Sequence, residues 1–503
     1  MNKKETTRDF NVILKGSSST GLGRLSDTFL RYVTNIVLTR LLGVEMFGIF
    51  ILARTIVMIA GMVSNLGMGF GVVRQIAYYS AKEDESNIQQ SIRIALIVPA
   101  IVSILTALLL FFGGNHIAIA FFKKPELALP LKILVFSVPI LTISQILLEV
   151  ARGFKKITIR VIVEYFFIPI SNLGFILFFY FLGYKLEGAI LAFILSTLLS
   201  LVILIILHRN IIQFPRRESL FQKEEAIRFF KFSFPLTFVS IFNEIKLRLD
   251  VLLLGILSTA TNTSIFFIAL RLGSFLAIPS QASHMIFAPM VSGYYGKGEI
   301  DKIESSYKNL TKLMFIGGMF LMGFIVVFSK ELLSMFGTEF EKGMVVVSLI
   351  CLGQLVKILV GNAGIILVMV GKPVVNMIIL IVSLILLSVT NILLVPKYGL
   401  IGAGIANFVT VWFTSLMELY FVYRFLHIHP FRIDFLKPVV AALLSMAPIF
   451  LLKRFFPSNI PVTIALMIFF AALFLGGLFI LQLSEEEKAV LVSLKLKLKR
   501  WIN

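Results

Sequence analysis

Arg24, Asp27 and Arg31 recur at three- and four-residue spacing inside an otherwise apolar run, Leu22 to Leu42, and Arg54 stands inside a second, Met46 to Phe70. On a 3.6-residue helix Arg24, Asp27, Arg31 and Asn35 share one face, and Arg54 shares a face with Gly61 and Asn65. Each run is long enough to cross a bilayer, which takes about 20 residues. A charge at the centre of the hydrocarbon costs at least about 2.5–3.5 kcal/mol, so residues of this kind face a bundle interior or a wet cavity. The spacing predicts two helices that line an internal cationic chamber, which suits it to an anionic group.

The second half of the chain repeats the arrangement. Asp27 and Glu244, Arg31 and Arg248, and Arg54 and Arg271 are each 217 positions apart. Tyr78-Tyr79 match Tyr294-Tyr295 at 216, and Tyr184-x-Leu186-x-Gly188-Ala189 matches Tyr398-x-Leu400-x-Gly402-Ala403 at 214. So small a drift is what loop deletions leave. An even number of spans between the copies gives both the same orientation, a parallel repeat about an axis along the membrane normal. Asp27/Arg31 and Glu244/Arg248 also fit ordinary i,i+4 helix pairing. That explanation covers those four residues but not Arg24, Arg54 or Arg271.

Composition sets the class. Of 503 residues 58% are hydrophobic and 15% charged, where a soluble domain carries about 25% charged residues. The apolar residues come in membrane-length blocks, so the expected fold is an all-α polytopic membrane protein with about fourteen transmembrane helices. The expected organisation is an N-terminal lobe of six helices (1–207), an amphipathic linker on the inner leaflet (208–232), a second six-helix lobe (233–426), and two further helices with a basic tail (427–503). A net charge of +20 raises nucleic acid as a partner. However, thirty basic residues fall in one set of alternate segments and eight in the other, which positive-inside sorting explains without nucleic acid. The same count places both termini in the cytoplasm. Lys246, Arg248, Arg271 and Lys357 join the first-half arginines as basic residues within spans. The first twenty residues lack an apolar signal core, and Cys351 is the single cysteine, so neither a cleaved leader nor a disulfide framework is expected.

Several motifs carry a family resemblance. Thr39-Arg40-Leu41-Leu42-Gly43-x-x-x-Phe47-Gly48, then Asn65-Leu66-Gly67 leading to Arg74-Gln75, resembles the start of the polysaccharide-repeat-unit flippases. These are the polysaccharide transporters of the multidrug/oligosaccharidyl-lipid/polysaccharide (MOP) exporter superfamily, O-antigen (Wzx-type) flippases among them. Val395-Pro396-Lys397-Tyr398-Gly399-Leu400-Ile401-Gly402-Ala403 extends the likeness into the second half. The resemblance implies movement of an undecaprenyl-pyrophosphate-linked oligosaccharide from the inner to the outer leaflet of a bacterial cytoplasmic membrane, with membrane lipid and a glycan polymerase or other assembly protein as partners.

Under that reading the forks of Arg24, Arg31, Arg54, Arg248 and Arg271 bind diphosphate bidentately and Lys357 adds a point charge. Asn65, with Asn243 and Asn362, offers hydrogen bonds to sugar hydroxyls, and Lys246 and Asp250 form a structural pair on the other face of their helix. No phosphate-binding loop of the G-x-x-x-x-G-K-[ST] type occurs, so no nucleotide, other cofactor or metal is expected. Energy would come from H+ or Na+ at the intramembrane carboxylates Asp27, Glu164, Glu244 and Glu418, or from downstream glycan consumption. Pro139, Pro169 and Pro279 read as kinks in helices that must bend. Two alternatives stay open: an ion-coupled multidrug or cation antiporter of the same superfamily, whose cavity should be acidic or aromatic, and a membrane glycan polymerase. The polymerase needs a catalytic loop that the short external loops do not supply.

Overall fold

Lipid offers the backbone no hydrogen-bond partners, so an apolar run must satisfy its own, and every regular element among the described residues is helical. The computed structural model describes residues 3–209, 242, 245–246, 248–456 and 459–480. The order begins α1 (Lys3–Asn65), α2 (Met68–Ser80), α3 (Glu85–His116), α4 (Ala128–Leu134), α5 (Ser137–Gly153), α6 (Ile157–Arg160), α7 (Ile168–Phe181) and α8 (Leu186–His208). It resumes with α9 (Ala260–Ser274), α10 (Ile278–Gly296), α11 (Ile300–Val327), α12 (Ser329–Ser334), α13 (Met344–Val360) and α14 (Ala363–Met369). Last come α15 (Pro373–Leu426), α16 (Leu436–Phe455) and α17 (Ile460–Ile480).

Ten described helices are long and apolar enough to cross a membrane, and a pair bent by 48°, Pro125–Leu134 with Ser137–Gly153, makes an eleventh. The chain is a multi-pass membrane protein, and the described residues do not confirm the count of fourteen. Two of the ten are overlong. Ser26–Asn65 has 40 residues and Pro373–Leu426 has 54, about 60 and 80 Å of helix against roughly 30 Å of hydrocarbon. Each is interrupted by a glycine, Gly43 at φ 75, ψ 169 and Gly399 at φ 54, ψ −125, in backbone regions that penalise any side chain. The seventh expected span, the linker and the basic tail lie largely outside the described residues.

Pro169 and Pro279 lie inside longer helical spans, Thr158–Phe181 and Ala260–Gln281, where the missing N–H leaves a carbonyl of the preceding turn without its donor. Each follows a non-α turn, the π-helical Val161–Phe167 and the 3₁₀ turn Phe275–Ala277. Pro139 lies beside a bend, three residues past the break in the 48° pair. At the α3 N-terminus, Asp84 accepts from Asn87 N at 3.1 Å and Asn87 Nδ2 at 2.7 Å, and these bonds hold its carboxyl below the usual range. The capping contribution is present above the ordinary carboxylate pKa and is lost as pH falls through the lowered one.

Two compact units emerge, Met1–Ile265 with Asn391–Gly399, and Phe266–Thr390 with Leu400–Asn503. In the first, Met68, Val72, Ile76, Ile92, Ile146 and Val150 join α2, α3 and α5 in one buried cluster. In the second, Phe328, Ile449 and Phe470 draw α16 and α17 onto the end of α11. Gly323 permits this approach, because a Cβ there would lie 2.9 Å from Phe470 Cζ. Lys453 adds bonds to the Val327 carbonyl at 2.6 Å and Glu331 Oε2 at 2.7 Å. The last two helices are therefore packed into their unit.

A methyl group at Gly43 would meet nothing within 4 Å, so Gly43→Ala isolates the cost of the backbone conformation. It is expected to destabilise by about 1–3 kcal/mol. Gly113→Ala, at an equally open helical site, should hold or gain stability. Equal melting midpoints for the two variants in detergent would rule out strain at the break.

Candidate functional site

The second half of α1 carries Arg54 and, one turn on, Met58, because residues four apart stack on one helix face. The Arg54 guanidinium lies 5.2 Å from the ring centroid of Phe193 on α8. Arg248, in the helical run 248–257, brings Nη1 to 3.7 Å from the Met58 sulfur. Arg54 and Arg248 thus flank the same turn of α1 within the first unit, although 194 positions separate them in sequence. Aromatic faces and thioether sulfur are polarisable, and they attract a cation without cancelling its charge.

Earlier on α1, Arg31 Nε donates to Asp27 Oδ1 at 2.6 Å. The i,i+4 pairing expected from the spacing is present there. Arg24 is in α1, with its side chain outside the described set, and Glu244 and Asn243 lie outside the described residues altogether. Asn65 ends α1, and its Oδ1 accepts from Gly69 N at 3.0 Å, across a turn in which Leu66 and Gly67 both have positive φ. The Asn65-Leu66-Gly67 motif is a helix break closed by its own side chain, so one end of the Asn65 amide already serves the fold. Asp250 is buried, with Asn391 Nδ2 3.5 Å from its Oδ1.

Glu164 belongs to an ion cluster. Arg160 donates through Nε to Glu164 Oε2 at 2.6 Å and reaches Glu149 Oε1 at 3.3 Å, and Arg152 Nη2 meets Glu149 Oε2 at 2.8 Å. Glu164 sits in the π-helical turn Val161–Phe167. Glu149, Arg152 and Arg160 were not among the candidate site residues. The i,i+3 spacing of Glu149 and Arg152 and the i,i+4 spacing of Arg160 and Glu164 are the signals that reveal the cluster.

In the second unit Arg271 lies 4.8 Å over the ring of Phe267, one turn back on α9. Lys357 is exposed in the last turn of α13, where a cation suits the helix dipole. Beyond it α13 breaks at Gly361 (φ 70), whose Cβ would collide with Thr311 Oγ1 at 2.2 Å. Around this break the Tyr307 hydroxyl donates to the Val360 carbonyl, and Asn362 Nδ2 donates to Ser283 Oγ at 2.8 Å. Asn362 is thereby engaged within the fold. Glu418 packs against Gly364, a Cβ there lying 2.9 Å from Oε1. Among the described residues no group of three or more His, Cys, Asp or Glu side chains is placed to hold a metal ion.

The site residues therefore fall into three groups. Arg54 and Arg248 come together in the first unit, while Asp27/Arg31 and Glu164/Arg160 are ion pairs. Arg271, Lys357 and Glu418 belong to the second unit.

The family model described as "Polysaccharide biosynthesis protein" matches residues 13–294, and a second, MatE, matches residues 235–394. The probable low-salt glycan biosynthesis flippase Agl15 of Haloferax volcanii is 25% identical over 185 residues, 36% of this chain and 38% of that protein. The match thus spans less than two fifths of that relative. Among solved structures, the lipid II flippase MurJ in an inward closed conformation superposes with a TM-score of 0.74 at 15% identity, covering 92% of this chain and 98% of that one. An inward-facing multidrug resistance MATE family transporter of the MOP superfamily gives 0.68 at 15% identity, covering 81% and 98%. These two likenesses establish the fold. The first family model covers more than half of the sequence, and on that match the chain belongs to the polysaccharide biosynthesis protein family.

Proposed function

We propose that this protein is a flippase that carries a lipid-linked oligosaccharide across the membrane, with the anionic head group held by arginines and the lipid tail left in the bilayer. The observation that carries the reading is the pair Arg54, on α1 beside the Phe193 ring, and Arg248, whose guanidinium meets the Met58 sulfur one turn further along α1. A diphosphate accepts bidentate hydrogen bonds from such forks, and a low-dielectric setting strengthens them. Arg24, Arg31 and Arg271 complete the cationic set, with Lys357 as an added charge and the free end of the Asn65 amide for sugar hydroxyls. The family match and the glycan flippase among its relatives support a glycan cargo. The lipid II flippase fold supports a lipid-linked one.

The finer statement is that undecaprenyl pyrophosphate is the carrier and that the two repeats rock to expose the arginines to each side in turn. The membrane is a bacterial cytoplasmic membrane with both termini inside, and a glycan polymerase acts downstream. Energy enters through H+ or Na+ at Asp27, Glu164, Glu244 or Glu418. Asp27 suits this role best, because a bound diphosphate competes with its carboxylate for Arg31, and proton uptake by Asp27 would then accompany cargo binding. A cation antiporter is the lesser reading, since guanidinium groups repel its cargo.

Arg54→Ala and Arg271→Ala are each expected to cut glycan export by one to two orders of magnitude, the effect of removing charge-assisted hydrogen bonds of about 1.5–3 kcal/mol. Both variants should remain folded and inserted. Full rescue of a flippase-deficient strain by both would remove the arginines from the cargo path. For Glu164 the expected result is structural: Glu164→Gln lowers the melting temperature, and adding Arg160→Met recovers part of the loss. An unchanged midpoint with lost export would instead move Glu164 into the coupling machinery.

A further inference from the structure

We propose that Lys124 is a latch that seals one end of the transport path and must release during each cycle. Lys124 closes the short turn after α3, and its ammonium donates to three main-chain carbonyls: Phe122 at 3.2 Å, Gly255 at 2.6 Å and Ser258 at 2.7 Å. An ammonium has three protons, and all three are engaged. Gly255 and Ser258 lie at the C-terminal end of the helical run 248–257. There the last carbonyls lack intrahelical donors and carry the negative end of the helix dipole. A cation from another element caps that end.

Next to the latch the packing has no room for a side chain. A Cβ on Gly48 would lie 2.1 Å from the Ala260 carbonyl oxygen, and one on Gly255 would lie 2.2 Å from Leu52 Cδ2. The Ser264 hydroxyl donates to the Val44 carbonyl. Residues 255–264 are thus seated on residues 44–52, within the first unit.

The sequence repeat gives these two stretches to different halves, since Arg248 and Arg271 are the copies of Arg31 and Arg54. Rocking of one repeat against the other, the reading on which this inference rests, must therefore part this seam. Lys123 and Lys124 lie in a segment that the basic-residue pattern assigns to the outside, so the latch favours the state closed to the outside. Its bonds run to backbone oxygens at a loop, where the ammonium exchanges them for water when the seam opens.

The test uses the single cysteine to advantage. In a Cys351→Ser background, Val44→Cys with Ser264→Cys places a thiol on each side of the seam, and disulfide formation under mild oxidation reports its closure. Cross-linking should be rapid with Lys124 present and about tenfold slower in Lys124→Met, whose side chain keeps the length but loses the donors. Gly48→Ala should slow it similarly by wedging the seam while leaving Lys124 in place. Thermal melting of both variants separates an opened seam from a misfolded chain. Unchanged cross-linking in folded Lys124→Met overturns the latch, whatever happens to transport. Slowed cross-linking in a protein that moves no lipid-linked glycan upholds the latch and overturns the flippase reading.

Discussion

A guanidinium or ammonium group inside an apolar helix must be solvated by the protein, and among the described residues carboxylates, main-chain carbonyls, rings and sulfur all take part. Arg160 lies between Glu149 and Glu164, and buried Lys312 meets Asp434 at 3.4 Å. Lys453 is held by Glu331 and a main-chain carbonyl. These cations are matched by carboxylates and fasten one segment to another. Asp434 shows the logic outside the membrane: burial pushes its carboxyl up, but Lys312, Lys437 and Arg432 outweigh this and hold it below the ordinary range. Arg54, Arg248 and Arg271 include softer contacts with Phe193, Met58 and Phe267. A ring face or a sulfur steadies a guanidinium through its polarisability.

Helix breaks are the second constraint. A continuous helix in lipid buries its carbonyl and N–H groups in its own ladder and can present only side chains. The interruptions at Asn65–Gly67 and Gly361 fall at the ends of apolar helices and free backbone groups there, and polar side chains gather around them. Asn65 closes the first break, and Tyr307, Asn362 and Ser283 surround the second. Gly43 and Gly399 do a different job, turning overlong helices at points where any side chain would be strained. Glycine also sets the closeness of approach at Gly48 and Gly255, where a single methyl group would separate the packed segments.

The family match places the chain among polysaccharide biosynthesis proteins, and its fold is one that a lipid II flippase and a multidrug resistance transporter share. What distinguishes a glycan-lipid carrier from a cation exporter on such a scaffold is the sign of its polar interior, since fold alone does not determine function. The proposed reading rests on that sign.

The all-helical, multi-pass fold, the family and the two arginine pairs at a constant offset were legible in the sequence, because apolar run length, local motifs and periodicity are one-dimensional properties. Local pairing was legible for the same reason: Asp27/Arg31 obeys a four-residue rule that any helix enforces. Long-range neighbours were not. Phe193 under Arg54, Arg248 beside Met58 and Asn391 against Asp250 depend on which helices pack together, and that follows from side-chain shape across the whole bundle. Arg152 and Arg160 reach Glu149 together only because the π-helical turn and α5 bring them side by side. The tertiary structure also decided which glycines are strained and that Lys124 caps a helix 131 residues away, because a contact of that kind leaves no periodic trace in a chain.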